Sequence, residues 1–188
     1  MSRAEGSGFP DDVIGTAAAA LPLTPATYDL RRSVGYLMVC SSKLAKGLAE
    51  DAFAHEADLG FMQFMSLMLL GEGVATTPGD LAGLLGYTSG AVTRHIDRME
   101  RAGLIERVRS DRDRRSIAIN VTSAGRHAAK ALLPHHLALW NMVLGDFDPT
   151  EFATLIRLLE KLLGALRDVA GPASKAVGPP RRDLERVA

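Results

Sequence analysis

Apolar positions recur at three- and four-residue steps early in the chain. Val34, Leu37, Met38, Leu44, Ala45 and Leu48 share one helical face, which predicts a first long helix over about 26–54. A second helix, over about 59–70, is apolar almost all round: Leu59, Phe61, Met62, Phe64, Met65, Leu67, Met68, Leu69 and Leu70. A helix without a polar face is a buried one, so it is expected at the centre of the core. Gly71-Glu72-Gly73 stops it.

Thr77-Pro78-Gly79-Asp80 starts a short third helix. Thr77 caps, Pro78 suits the first helical position, Asp80 meets the positive end of the dipole, and Gly86 ends it. Thr88 or Ser89 caps a fourth helix that reaches Ala102 and stops on Gly103. So short a link forces a steep crossing, which is helix-turn-helix geometry. Leu104–Arg109 and Ser116–Val121 fit two short strands, the second alternating Ile117, Ile119 and Val121 with Ser116, Ala118 and Asn120. The polar segment Ser110-Asp111-Arg112-Asp113-Arg114-Arg115 between them is a wing. Thr122 or Ser123 caps a fifth helix over about 123–145, with a kink expected near Pro134. Asp148-Pro149-Thr150-Glu151 opens a sixth over about 149–168. Its stripe of Phe152, Leu155, Ile156, Leu158, Leu159, Leu162, Leu163 and Leu166 is wider than one neighbour needs. With the first helix, it reads as a subunit interface.

Composition changes the picture in one respect. The 188 residues carry 22 basic and 22 acidic side chains, a formal net charge of zero. Between Thr88 and Arg115, however, eight Arg face five Asp or Glu, a local excess of three positive charges. The neutral total conceals a basic segment, and charge distribution matters more than its sum in a nucleic-acid binder. The apolar fraction of 47% supports a globular core. One cysteine, Cys40, excludes an intrachain disulfide and fits a reducing, cytoplasmic setting. No apolar run approaches the length of a membrane span, and the start of the chain does not read as a signal peptide.

Three motifs give the chain a resemblance to the MarR family of bacterial transcription regulators. Asp80-Leu81-Ala82-x-x-Leu85-Gly86 is similar to the family's first reading-head helix. Ser89 to Ile105 resembles its recognition helix. Asp113-Arg114-Arg115-Ser116, followed by Val121-Thr122-Ser123-Ala124-Gly125-Arg126, resembles its wing and return, although Ser110 stands where many members carry Asp. The resemblance covers about residues 27–168. It implies a mainly α, six-helix homodimer with a small β-hairpin wing. The first, fifth and sixth helices would join two copies, and a ligand pocket would lie between the lobes and those helices. The organisation expected is a mobile arm at 1–25, a dimerisation helix at 26–58, a winged helix-turn-helix DNA-binding lobe at 59–121, dimerisation helices at 122–168 and a mobile tail at 169–188.

The fourth helix divides by its own period. Val92, Ile96 and Met99 form a buried side; Ser89, Gly90, Thr93, Arg94, Asp97 and Arg98 lie away from it. Ser89 and Gly90 let the backbone approach the major groove of double-stranded DNA. Thr93 suits a thymine methyl or a phosphate, Arg94 a guanine edge, and Arg98 a phosphate. In the wing, Arg115 and Arg114 suit a narrow minor groove, Arg112 a phosphate, and Asp113 orients the loop by pairing with an arginine. A symmetric dimer then calls for an inverted-repeat operator, and the sign of control expected is repression.

Met38, Met62, Met65 and Trp140 are candidates to line an effector pocket for an aromatic or lipophilic molecule. Cys40 lies on the apolar side of the first helix, where a buried thiol is inert packing. The competing reading is a helical homodimeric interaction or sensor protein, responding to thiol redox through Cys40, with little DNA binding. His127, His135 and His136 lack the spacing of a metal site, and no cofactor is expected. No phosphate loop, G-x-S-x-G or H-E-x-x-H occurs, so no enzyme is expected.

Overall fold

The computed structural model describes residues 21, 23–25, 28–54, 59–109 and 117–171. The expected arm and tail lie mostly outside the described residues, and so does the tip of the wing. The chain divides into two units, 1–48 and 49–188.

In the first unit, Asp29 opens a 3-10 turn over Leu30–Arg32, its carboxylate accepting from the Arg31 N–H at 2.9 Å. Ser33 is extended. Its hydroxyl donates to the Leu30 carbonyl at 2.9 Å and accepts from the Tyr36 N–H at 3.3 Å. The first helix, α1 (Val34–Ala54), therefore begins eight residues later than the apolar spacing predicted. Two side chains that hydrogen-bond the local backbone compete with helix here, and they set the start. Along α1, Val34, Leu37, Val39, Leu44 and Leu48 are exposed. Cys40 is half-buried rather than buried, and its side chain hydrogen-bonds Tyr36, which raises the phenol above its ordinary value.

The second unit begins with the end of α1 and continues through α2 (Phe61–Gly71), α3 (Pro78–Leu85), α4 (Ser89–Arg101), β1 (Ile105–Arg109), β2 (Ile117–Val121), α5 (Ser123–Val143) and α6 (Pro149–Ala170). α2 is central, as expected. Leu67 and Leu70 join Leu81, Val92, Ile96, Met99, Leu104, Ile105, Ile119 and Ala129 in one core cluster. Phe64, three residues before Leu67, joins Phe53 and Leu132 in a second. The Phe53 and Phe64 ring centroids are 5.0 Å apart. Each such buried side chain contributes about 1.5–3 kcal/mol.

The local signals act as read. Thr77 Oγ1 accepts from the Asp80 N–H at 3.2 Å, and Asp80 accepts from the Thr76 and Thr77 N–H groups, both at 2.9 Å. Burial alone would raise the Asp80 carboxyl, but these hydrogen bonds hold it below its ordinary value. Gly86, at φ +69°, turns the chain out of α3 as a side-chain-bearing residue would not. Thr88, not Ser89, caps α4, accepting from the Ala91 N–H at 3.4 Å.

The strands pair antiparallel, with Ile105 opposite Val121 and Arg107 opposite Ile119. The Ile119 N–H also reaches the Thr76 carbonyl at 2.9 Å, which ties the hairpin to the segment before α3. Thr122 caps α5. It accepts from the Gly125 N–H at 3.0 Å and donates to the Gly103 carbonyl at 2.6 Å. α5 runs unbroken past Pro134, and α6 is capped by Asp148 and Glu151 as expected. No residue of α6 is buried. No described helix is long and apolar enough to cross a membrane.

Candidate nucleic-acid interface

α4 separates its residues by face. Val92, His95, Ile96 and Met99 are buried; Ser89, Gly90, Thr93, Arg94 and Arg98 are exposed. The helix period thus puts the five expected contact residues on one open side. Thr93 Oγ1 donates to the Ser89 carbonyl at 3.0 Å. Its only proton is thereby used inside the helix, and the methyl group and an acceptor oxygen remain for a partner. Arg94 folds back toward Gly90: a Cβ there would stand 3.8 Å from the guanidinium. Glycine leaves that space open.

Asp97, which the helix period places away from the buried side, is engaged within the protein. It is half-buried and accepts from Arg107 on β1. Arg107 also donates to Glu100 through a second guanidinium nitrogen, and its backbone N–H reaches Glu100 at 3.2 Å. Hydrogen bonding to Asp97 raises the Arg107 guanidinium further above neutrality, against a smaller opposing effect of burial. Two carboxylates of α4 thus share one positive charge on the strand that leads to the wing. The charges left on the open face belong to Arg94, Arg98 and Arg101, the last of which also donates from Nε to the Asp97 carbonyl at 3.3 Å. Sequence reading missed this triad because its members meet only when β1 lies alongside α4.

The base of the wing is formed by the paired strands. Arg112, Asp113, Arg114 and Arg115 lie outside the described residues.

The four effector candidates fall in different units, Met38 in the first and Met62, Met65 and Trp140 in the second. Met38 is exposed. Met65 packs against the Phe53–Phe64–Leu132 cluster. Trp140 meets His136 edge-on at 6.4 Å, and His136 in turn stacks on Phe61 at 6.1 Å. Burial lowers the His136 pKa. A separate groove of about 620 Å³ lies where α2 ends against β2 and the start of α5. Leu70, Thr76, Glu106, Asn120, Val121 and Arg126 line it, and none of the effector candidates does. Among the described residues, no group of three or more His, Cys, Asp or Glu is placed to hold a metal ion.

Comparison with known proteins agrees with this architecture. A sequence model of the MarR family matches residues 57–116. The transcriptional activatory protein BadR of Rhodopseudomonas palustris is 37% identical over 90 residues, 47% of this chain and 51% of BadR, so the chain spans about half of that relative's length. The multiple antibiotic resistance protein MarR of Escherichia coli is 31% identical over 109 residues, 56% of this chain and 74% of MarR. The crystal structure of apo wild-type MarR from E. coli superposes with a TM-score of 0.59 at 25% identity, covering 70% of this chain and 96% of that one. A Bordetella bronchiseptica BpsR structure, from work on the regulation of its DNA binding by 6-hydroxynicotinic acid, gives a TM-score of 0.60 at 21% identity over 72% of this chain and 96% of that one.

Proposed function

The chain belongs to the MarR family, and on that premise we propose that it is a dimeric, effector-responsive repressor that binds an inverted-repeat DNA operator. The observation that carries the reading is the exposed face of α4, where Ser89, Gly90, Thr93, Arg94 and Arg98 stand together opposite a buried side. Arg94 is long enough to reach a guanine edge in the major groove, and Arg98, a turn further on, a phosphate. Thr93 offers its methyl group to thymine. A phosphate only accepts, and the Thr93 proton is already given to Ser89. Arg114 and Arg115 enter the adjacent minor groove, Arg112 meets a phosphate, and Asp113 orients the loop.

A second copy of the chain covers the apolar surface left on α6, where Phe152, Ile156, Leu159 and Leu166 are all exposed, and separately that on α1. A homodimer of this kind places two copies of α4 about one helical turn of DNA apart, roughly 34 Å, which calls for an inverted repeat. Repression follows on steric grounds, since a dimer seated on a promoter excludes polymerase. The effector is a small aromatic or lipophilic molecule held near Met62, Met65 and Trp140. A ligand-regulated relative such as BpsR supports that class.

The test is selection of binding sites from random duplexes by the full chain, with the mass of the free protein measured in parallel. An inverted repeat and a mass of twice the chain are expected. A single asymmetric site, or a monomer, contradicts the reading.

A further inference from the structure

α4 is attached to its unit by the hydrogen bonds of Asp97 and Glu100 to Arg107 on β1, by apolar burial and by one buried polar contact with α2. Val92, Ile96 and Met99 contribute apolar burial. That force is non-directional and tolerates rotation or sliding of the helix. His95, only 7% exposed, contributes a directional contact. Its Nε2 lies 2.8 Å from Oγ of Ser66 on α2, a side chain fully out of water. Ser66 Oγ donates its one proton to the Met62 carbonyl at 2.8 Å. The imidazole must therefore donate from Nε2 and Ser66 accept. Tyr87, in the turn between α3 and α4, lays its ring 5.1 Å from the imidazole. Hydrogen bonds weaken steeply as their angle departs from linear, so this pair restricts α4 where the apolar contacts do not.

We propose that His95 and Ser66 are positioning residues for DNA reading: their buried hydrogen bond sets the rotation of α4 on α2 and so the direction in which Thr93, Arg94 and Arg98 point. The inference rests on the reading of α4 as the helix that enters DNA. His95 touches no DNA and acts through the helix. It adjoins Arg94 in sequence, so any rotation that frees the imidazole turns Arg94 by the same angle.

Burial of the imidazole, rather than its bond to Ser66, also makes the seating of α4 sensitive to acid: Nε2 keeps its proton when Nδ1 gains one. Arg98 on α4 and Tyr87 in the turn act on or touch the imidazole, and Glu50 near the end of α1 acts on Tyr87. α2 carries no titratable side chain. On α3, Asp80 is held by Thr76 and Thr77 at the end away from the turn. On β1, Arg107 is held by Asp97 and Glu100. No carboxylate in this set pairs with His95. Burial, then the positive charge of Arg98, hold its pKa below the ordinary imidazole value. A group lowered on folding supports the seated helix fully above its unfolded value, about pH 6.5. That support is lost as the pH falls from there through the lowered folded-state value.

The test uses the full chain and a duplex that the wild type selects from a random pool. Binding to that duplex and to a random one is measured at about pH 7.5 and about pH 5.5, on either side of the ordinary imidazole value. Ser66→Ala leaves the buried imidazole N–H unpaired. Its affinity for the selected duplex is expected to fall about tenfold. Its affinity for random duplex falls less, and its salt dependence changes by no more than the one phosphate contact assigned to Arg98, because the wing's contacts are left in place. The wild type loses selected-duplex affinity on acidification. His95→Gln retains an N–H for Ser66 and does not titrate, so it removes that loss and keeps most of the discrimination. If circular dichroism shows Ser66→Ala unfolded, the double variant His95→Met with Ser66→Val, which buries no unpaired polar group, takes its place with the same drop in discrimination expected. Wild-type discrimination in Ser66→Ala or in the double variant, or the wild-type acid loss in His95→Gln, overturns the inference. A wild type that selects no duplex overturns the DNA-binding reading instead.

Discussion

The carbonyl oxygen of Leu104 occupies the place where a side chain at residue 125 would begin. A Cβ on Gly125 would lie 2.1 Å from that oxygen and 2.9 Å from Cγ1 of Val121. The same carbonyl accepts from the Thr122 N–H at 3.0 Å, so it is fixed by the cap of α5 and has no room to withdraw. The first turn of α5 therefore packs directly on the backbone that links α4 to β1.

Gly125→Ala is expected to destabilise the second unit by about 1–3 kcal/mol, the usual range for overpacking a closed contact. Thermal unfolding followed by circular dichroism checks this. Unchanged melting would mean that α5 shifts freely from Leu104.

Arg107→Ala tests whether the triad serves stability or charge. Its side chain is 29% exposed and that of Asp97 45%, so the loss of pairing should cost at most about 1 kcal/mol of folding stability. DNA affinity should fall clearly, because Asp97 and Glu100 then carry uncompensated negative charge beside the reading face. Asp97→Asn in the Arg107→Ala background should restore part of it. The check is a binding titration on a selected duplex with melting curves for each variant; a large loss of stability with unchanged binding goes against this account.

Acid stability depends in part on Asp80. Its folded-state pKa is lowered by hydrogen bonds from Thr76 and Thr77, so the stability it contributes is present above the ordinary carboxyl value and lost as the pH falls through the lowered one. Asp80→Asn should flatten that part of the acid-unfolding curve. Thr77→Ala should cost about 1 kcal/mol at neutral pH, the value of a typical N-cap. Denaturant unfolding at several pH values reads both.

The elements most legible in the sequence are those whose signals are local. Thr77-Pro78-x-Asp80, Gly86 and Asp148-Pro149-x-Glu151 each fix a helix end through groups within four residues, and each acts as read. α1 starts later than expected because Asp29 and Ser33 cap a separate turn over the residues before it, while the apolar stripe itself begins at Val34, where the helix does. His95–Ser66 and Arg107–Asp97–Glu100 were not legible. Their partners are 29, 10 and 7 residues apart in sequence, and they meet only when helices and strand pack together. The buried side of α4 was read from Val92, Ile96 and Met99 without the histidine between them, since a lone His carries no periodic signal. The wide stripe of α6 was legible as a surface that the chain alone does not bury.

The central claim is that the open face of α4 reads DNA, and Arg94 tests it most directly. Fluorescence anisotropy compares the wild type with Arg94→Ala on a selected duplex and on a scrambled one at the same salt. A loss of about 1–3 kcal/mol on the selected duplex, with little change on the scrambled one, is the result predicted for a base-reading arginine. An Arg94→Ala protein that binds both duplexes as the wild type does would contradict the account.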